Sequence, residues 1–429
     1  MYASLLRRRL AELRHNAWQT VVKRTGLLIT VTVTVVLLLV AVALKERHRG
    51  HLTKLKAELG VSHTVPHEAA AVRPGGQDPV TLEHAEVADA DSPQFVSATL
   101  LPGRGMNLLQ IKAHIPQLGT IDLLASPSLD DAAKQMTGED EDADGGASLT
   151  MGGAIETPWA GRIWGAPSNG VTVATWRGHA FALPASGKVS TGGLFLDRQA
   201  DTVKTSVMPD GGQAQAIYNA GNFDGHWISH TQITTTVQLN SRTLEISIAA
   251  RNTGTEPEPV GIGWHPRFAI PSRDRRQAML KLPNALRVET DDHRDGMPTG
   301  RLLPVAGTPY DFTGHDGARL GDLNLNDSFV QIKQGLLDNG PIAELRDPRS
   351  NYGLRITMLS PAIKAIHVTA PANASFVSID PRFNHDDPFG HEWAKDEDTG
   401  MAVLQPGQTV QWKIRLEIFT LDGNPSQHM

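Results

Sequence analysis

Short runs in which hydrophobic and polar residues alternate recur along most of the chain. SRTLEISIAARN, residues 241–252, places Leu244, Ile246 and Ile248 on one face, and TVQWKIRLEIF, residues 409–419, alternates in the same way. A period of two residues is typical of a β-strand with one buried face. Turn sequences rich in Gly, Pro and Asn separate such runs, and long amphipathic helices are scarce. The pattern therefore predicts an all-β fold, a large antiparallel β-sandwich.

One stretch near the amino terminus departs from this pattern. Residues 26–44, GLLITVTVTVVLLLVAVAL, carry no charge over 19 positions, close to the roughly 20 residues that cross a bilayer core. We predict one transmembrane helix here. Six Lys and Arg residues and a single Glu precede it in the basic segment 1–25, which favours a cytoplasmic amino terminus. The large domain would then face the periplasm or the cell exterior from the inner membrane.

A cleaved signal peptide is the alternative to a retained anchor. The sequence Ala41-Val42-Ala43 has the small-x-small form of a cleavage site. However, the apolar run is longer than the 7 to 15 residues usual for a signal peptide.

The remaining chain divides into two predicted parts. Residues 45–91 are expected to form a short juxtamembrane helix and a linker rich in Pro, Gly, Ala and charge. Residues 92–429 are expected to form one β-sandwich domain. Within it, the acidic run GEDEDADGG at 138–146 is expected to be a solvated loop, because like charges repel.

Composition excludes several classes of protein. The formal net charge of -6, without a sustained basic stripe, argues against a nucleic-acid partner. The chain has no cysteine, so disulfides and thiolate chemistry are excluded. No spacing of histidines is interpreted as a metal site, so no metal is predicted.

Two segments place polar side chains at the end of an apolar strand. In VGIGWHPRFAI, residues 260–270, His265 stands between Trp264 and Phe268, whose apolar faces suit a sugar ring. In FVSIDPRFNHDDPFG, residues 376–390, Asp380 follows a strand at once. A histidine and a carboxylate can form an acid and base pair near neutral pH. The alternatives are a strand-end histidine bonded to a carbonyl and a loop held by its own Asx turns.

These segments resemble the aldose 1-epimerases, or galactose mutarotases. G-W-H-P-R-F resembles their G-x-H-P-Y-F signature, and S-I-D-P-R-F is similar to their later C-x-E-x-Q strand. TPWAGRI at 157–163 and NLNDSF at 324–329 resemble two further segments, in the family's order. The resemblance spans roughly residues 92–422. It implies a galactose mutarotase-like β-sandwich that interconverts sugar anomers without a cofactor.

The resemblance also implies a role for individual residues. His265 matches the general acid that protonates the ring oxygen, and Asp380 falls where the general base is normally a glutamate. Arg162 would donate hydrogen bonds to sugar hydroxyls. Asp327 would accept them, with Asn326 as the alternative. We expect His265 and Asp380 in one pocket, their functional atoms about a sugar ring apart.

Two residues depart from the family pattern. Thr191 stands where the family commonly has a histidine, and Asp380 is one methylene shorter than the usual glutamate, which can misplace the carboxylate. Arg382, two positions on along the same strand face, is expected to orient Asp380 or to touch the sugar.

Other polar residues are assigned less direct roles. His385, Asp386 and Asp387 are expected at the pocket rim. His226, His230 and His367 are read as structural.

The sequence thus predicts a membrane-anchored aldose 1-epimerase whose partner is a monosaccharide or the reducing end of a glycan. A non-catalytic carbohydrate-binding module of the same fold and a polysaccharide-active enzyme are the alternatives, because fold does not fix function.

Overall fold

The structure of the protein is a computed structural model that describes residues 72–84, 91–168 and 171–421. The predicted basic segment 1–25, the predicted transmembrane helix 26–44 and most of the predicted linker lie outside the described residues. Within the described ranges, no helix combines the length and hydrophobicity that a membrane span requires.

The described chain is built almost entirely of β-strands. In chain order they are β1 (Val80–Glu83), β2 (Gln94–Leu101), β3 (Asn107–Ile115), β4 (Gly119–Asp122), β5 (Gly153–Glu156), β6 (Arg162–Trp164), β7 (Ala166–Ser168), β8 (Val171–Trp176), β9 (His179–Pro184), β10 (Val189–Thr191), β11 (Thr202–Met208), β12 (Gly211–Gly221), β13 (Thr231–Asn240) and β14 (Thr243–Asn252). The second half contains β15 (Glu258–Val260), β16 (Gly263–Ala269), β17 (Met279–Lys281), β18 (Asn284–Asp291), β19 (Met297–Pro304), β20 (Ala318–Arg319), β21 (Leu325–Lys333), β22 (Ile342–Asp347), β23 (Tyr352–Met358), β24 (Ala365–Ala370), β25 (Phe376–Arg382), β26 (Ala402–Leu404) and β27 (Thr409–Phe419).

In the part of the chain that the structure describes, helical structure is limited to short pieces. One α-helix, α1 (Leu129–Gln135), begins after Ser128, whose side chain accepts a hydrogen bond from the Asp131 N–H and caps the helix. Short 3-10 helices span Pro74–Gly76, Pro102–Arg104, Asp140–Asp142, Gly146–Thr150, Phe223–Gly225, Asp292–Arg294 and Pro348–Ser350.

Two large antiparallel sheets carry the fold. One has 11 described strands in the order β1-β2-β3-β5-β16-β25-β24-β21-β18-β19, with β4 paired to β3. The other has nine, in the order β11-β12-β13-β14-β27-β23-β22-β17-β20. Smaller sheets join β6 to β10, β15 to β26, and β7 to β8 and β9. The predicted all-β antiparallel architecture is confirmed.

Alternation along the strands produces the hydrophobic core. In β14 the side chains of Leu244, Ile246 and Ile248 are fully buried. On β27, which pairs with β14, Trp412 lies opposite Ile248 and is fully buried as well. Because successive strand residues point to opposite faces, each strand contributes every second residue to the interior. The two strands predicted from this alternation are therefore present.

Two predictions about chain organisation differ from the structure. Strand β1, Val80–Glu83, lies inside the segment predicted to be linker, and it pairs with β2 of the large sheet. Four residues are too few for a recognisable alternation. The acidic run 138–146 is not wholly solvated, since Asp142 is buried and accepts two hydrogen bonds from Arg104, at 2.7 and 2.9 Å. The ion pair with the buried Arg104 allows the Asp142 carboxylate to lie in the interior.

Candidate active site

Strand register brings the predicted acid and base side by side. In the pairing of β16 with β25, Gly263 lies opposite Arg382 and Arg267 lies opposite Ser378, so His265 lies opposite Asp380. Side chains directly opposite each other on antiparallel strands have Cβ atoms about 4.5 to 5.5 Å apart. The two residues, which are 115 positions apart in sequence, therefore meet on one face of the sheet.

The His265 and Asp380 side chains are in direct contact. The Nδ1 atom of His265 lies 2.7 Å from Oδ2 of Asp380, and the Ser378 hydroxyl donates to Oδ1 of Asp380 at 2.5 Å. The expectation that their functional atoms lie a sugar ring apart is wrong. Register places the two residues as direct neighbours, with no room for a ring between them.

This contact sets the protonation of His265. Burial disfavours the imidazolium, but the negative charge and hydrogen bond of Asp380 outweigh it and raise the pKa of His265 above its ordinary value. Because Nδ1 faces Asp380, Nε2 is the ring nitrogen left for another partner. No described residue hydrogen-bonds to Nε2, and the side chain keeps 22% of its surface exposed. His265 can therefore hold a proton near neutral pH and present it at Nε2.

Glu156 is a carboxylic acid of this cavity that the sequence reading missed. It ends β5 and lies opposite Gly263 on β16. Gly263 is two residues before His265 on that strand, so the two positions share a face. Oε1 of Glu156 accepts a hydrogen bond from the Gly161 N–H at 3.3 Å. Burial raises the pKa of Glu156 to about 6 against the opposing effects of His265 and Arg382. A carboxyl that titrates near neutral pH in a cleft is a candidate functional group.

Gly263 makes room for Glu156. A Cβ atom at this glycine would lie 2.6 Å from the Ala160 Cβ, 3.1 Å from the Arg382 Cβ and 3.3 Å from Oε2 of Glu156. The strand thus has no side chain where Glu156 and Arg382 approach from either side. The sequence signal for Glu156 was its position in GGAIETPWAGRI, just before the motif that carries Arg162.

Arg162 lines the cavity, yet much of its guanidinium is already bonded. It donates to the carbonyls of Asp295 and Gly296, each at 2.8 Å, and lies 3.5 Å from Oδ2 of Asp386. The side chain keeps 20% of its surface exposed. Its predicted role in sugar binding stays a prediction, and its observed contacts fix it on the cavity wall.

The polar segment expected at the pocket rim is buried instead. Asn384 donates to the carbonyl of Ala160 and accepts from the Ala160 N–H, while Asp386 and Asp387 accept from the N–H groups of Arg162 and Trp164. His385 is buried against Trp393. Asp386 does reach the cavity, but the rim prediction is wrong for His385 and Asp387. Short Asn and Asp side chains readily bond backbone groups, and here they clamp segment 160–164, which holds Arg162.

Arg382 is buried at the cavity floor and bonded on two sides. It donates to Asp386 at 3.0 Å and to the Ser328 hydroxyl at 2.7 Å. Burial opposes ionisation of Asp386, but Arg382 and Arg162 hold the pKa of that carboxyl well below its usual range. Arg382 and Asp386 therefore form a buried ion pair. Arg382 shares a strand face with Asp380, as predicted, although it bonds to Asp386.

The predicted hydroxyl acceptor Asp327 is not in the cavity. It forms an ion pair with Arg287, at 2.6 Å, whereas its neighbour Asn326 lines the cavity. Adjacent residues of a strand point to opposite faces, so a one-residue difference in phase decides which side chain faces the cavity. The predicted position of Asp327 in the cavity is wrong, and the alternative, Asn326, lies there. A role of Asn326 in binding sugar hydroxyls stays a prediction.

Thr191 and His367 complete the cavity wall. Thr191 ends β10, is exposed and lines the cavity. His367 lies opposite Asp380 on β24 and hydrogen-bonds to Ser328 and Asn326. Burial and the positive charge of Arg382 lower the pKa of His367 to about 4, so its ring is neutral at pH 7. The structure thus places this histidine at the cavity, in a neutral, fully bonded state.

The cavity has a volume of about 200 Å³. It brings together Glu156, Arg162, Thr191, His265, Asn326, His367, Asp380, Arg382 and Asp386. Among the residues that the structure describes, no group of three or more His, Asp or Glu side chains is arranged to hold a metal ion. The cavity contains two groups that can exchange a proton, His265 and Glu156, beside the ion pair of Arg382 and Asp386. Such an arrangement is suited to proton transfer.

Comparison with known proteins identifies the family. The aldose 1-epimerase family model matches residues 125–417, and the chain belongs to that family. No curated protein matches the sequence.

Solved structures with the same fold are distant in sequence. A galactose mutarotase-like protein from Clostridium acetobutylicum shares 14% identity with a TM-score of 0.63, over 79% of this chain and 98% of its own. Galactose 1-epimerase from Lactobacillus acidophilus shares 14% identity with a TM-score of 0.57, over 80% and 99%. An aldose epimerase homologue from C. elegans shares 19% identity with a TM-score of 0.56, over 76% and 95%. At these identities the similarity establishes the galactose mutarotase-like fold.

Proposed function

We propose that this protein is an aldose 1-epimerase that interconverts the α and β anomers of a free sugar or of a glycan reducing end. The observation that carries the proposal is the contact between His265 and Asp380 in a cavity at the family's motifs. Mutarotation requires a proton donor at the ring oxygen while the proton of the anomeric hydroxyl is removed. His265, charged through its contact with Asp380, supplies the donor at Nε2.

Fixed polar groups would orient the sugar. Arg162, Thr191 and Asn326 line the walls and can exchange hydrogen bonds with ring hydroxyls. The cavity, about 200 Å³, is smaller than the roughly 300 to 1,000 Å³ of most ligand pockets, which suits a single sugar ring.

The activity is tested by NMR exchange spectroscopy between anomers across a panel of aldoses. We expect wild-type protein to accelerate exchange of at least one sugar, and His265→Asn to lower that acceleration by about 10² to 10⁴. His179→Asn is the matched control, since His179 is exposed on β9 away from the cavity lining. If wild-type protein binds sugars but leaves anomer exchange at the spontaneous rate, the result would instead support the non-catalytic binding module.

We also propose that the domain is anchored by residues 26–44 and faces the periplasm or cell exterior. The support is the length and lack of charge of that segment, together with basic residues before it that outnumber the acids more heavily than those after it. Protease added to intact spheroplasts should degrade the β-domain. Protection until lysis would place the domain on the cytoplasmic side, and recovery of a chain beginning after Ala43 would indicate a cleaved signal.

A second candidate function is processing of a longer glycan. An open cleft of about 770 Å³ lies beyond Arg162 along the same strand and is lined by Trp164 and Phe389. Aromatic rings with polar neighbours suit sugar rings. Release of shorter products from oligosaccharides incubated with the protein would favour this candidate, whereas anomer exchange alone favours the epimerase.

A further inference from the structure

Anomer exchange needs a proton acceptor as well as the donor at His265. The predicted acceptor, Asp380, has both carboxylate oxygens engaged, Oδ2 with His265 and Oδ1 with Ser378. A carboxylate held in this way orients His265 and raises its pKa, and it has no oxygen free to accept a proton from a sugar. The cavity contains one other carboxylate besides the arginine-bound Asp386, namely Glu156.

We propose that Glu156 is the general base of the reaction and that Asp380 is a positioning residue acting through His265. This assignment rests on the proposed epimerase function. It places acid and base on β16 and β5, neighbouring strands, where Glu156 lies opposite Gly263, two residues from His265. Alternate residues of a strand share a face and stand about 6.5 to 7 Å apart along it. That separation accommodates a sugar between the two groups, which the 2.7 Å contact of His265 with Asp380 does not.

The contacts of Glu156 leave one oxygen available. Oε1 accepts from the Gly161 N–H, and no other described residue donates to the carboxylate. Gly263 has no side chain, so Oε2 is not covered from that strand. The charged groups facing Glu156 are His265 on β16 and Asp380 and Arg382 on β25, of both signs. These opposing charges leave burial as the main influence on its protonation.

The proton balance of the step is complete with these two residues. The Glu156 carboxylate removes the proton of the anomeric hydroxyl, whose electron pair forms the C1 carbonyl as the bond from C1 to the ring oxygen breaks. The imidazolium of His265 gives its Nε2 proton to the departing ring oxygen. After rotation about the C1–C2 bond, the new hydroxyl attacks the other carbonyl face and returns its proton to His265. Glu156 then reprotonates the anomeric oxygen.

The test compares wild type with Glu156→Gln and Asp380→Asn by NMR exchange, using a sugar that wild type turns over. Glutamine keeps an oxygen that accepts from the Gly161 N–H, so a purely structural role of Glu156 would be preserved. We expect Glu156→Gln to lower kcat by about 10² to 10⁴ while the sugar dissociation constant changes little. A Gln variant within a few-fold of wild type overturns the assignment.

The pH profile separates the two carboxyls. We expect wild-type kcat/KM to fall below pH about 6, as Glu156 is protonated, and to fall again as the pH rises through the raised pKa of His265. In Asp380→Asn this second limb should move to lower pH, because His265 loses its negative partner. The acidic limb should persist, shifted downward. Loss of the acidic limb in Asp380→Asn would make Asp380 the base and overturn the proposal.

Failure of the proposed function is a different result. If wild type exchanges no sugar faster than the spontaneous rate, the epimerase proposal fails, and the role of Glu156 fails with it. If wild type is active and Glu156→Gln has the same kcat as wild type, the epimerase proposal stands and the base lies elsewhere.

Discussion

Two buried carboxyls in the same cavity behave in opposite ways. Glu156 faces charges of both signs, and burial raises its pKa to about 6. Asp386 is buried as deeply, but Arg382 and Arg162 hold its pKa well below the usual range. Glu156 can exchange a proton near neutral pH, whereas Asp386 stays charged.

The difference lies in the partners and not in the depth. Desolvation favours the neutral acid in both residues, and a neighbouring guanidinium reverses that preference only for Asp386. The carboxyls of this cavity therefore divide into one that can exchange a proton near neutral pH and one that stays charged and binds the arginines of the cavity wall. Two measurements test this division, and a third tests an uncharged residue of the same cavity wall.

The largest effect on stability is expected from Asp386→Asn. This change leaves the buried guanidinium of Arg382 without its carboxylate and should lower the free energy of unfolding by about 3 to 5 kcal/mol. Urea denaturation at pH 7 measures it. The control is Asp322→Asn, which makes the same chemical change in an ion pair with Arg276 whose side chains are 74% and 70% exposed. We expect a loss of about 0 to 1 kcal/mol there, and equal losses would contradict the division.

A smaller effect is expected from the titration of Glu156. Its pKa in the folded state, about 6, lies above its ordinary value of 4.5, so the neutral acid is favoured by folding. The stability it contributes is present below pH 4.5 and is lost as pH rises through 6. Relative to Glu156→Gln, wild type should lose about 2 kcal/mol over that window, from the 1.36 kcal/mol per pKa unit. Parallel curves of unfolding free energy against pH for the two proteins would show that Glu156 does not titrate there.

The smallest effect on stability is expected from Thr191→Ala. Thr191 is exposed on the cavity wall, so the free energy of unfolding should change by no more than about 0.5 kcal/mol. If its hydroxyl bonds the sugar, the dissociation constant should rise by about five- to tenfold, from the roughly 1 kcal/mol of one hydrogen bond. Calorimetric titration with the sugar measures this change. An unchanged dissociation constant would remove Thr191 from the binding residues.

Features that depend on local pattern were predictable from the sequence. Leu244, Ile246 and Ile248 alternate within one strand, and the alternation directly reports a buried face. His265 and Asp380 could be singled out because each stands in a recognisable motif at a strand end, and the structure places both in one cavity. The sequence did not show that these motifs lie on neighbouring strands, and only the pairing of β16 with β25 brings the two side chains together.

Features that depend on strand phase or on distant partners were not predictable in this way. Asp327 and Asn326 are adjacent, and only the pairing of β21 with β24 fixes which of them faces the cavity. Glu156 lies in a strand whose four residues are all buried, so it has no alternation to mark it. The backbone groups bonded by Asn384 and Asp386 lie 224 residues away along the chain.

That separation has a consequence for how the protein folds. Closing a long loop costs entropy before any contact is gained, so we expect segments 160–164 and 384–387 to join only after most of the chain between them has closed into sheets. Arg162 is then expected to reach its place late in folding. We expect nascent or truncated chains to acquire β-structure before they can recognise a sugar, so that sugar binding reports completion of the native topology.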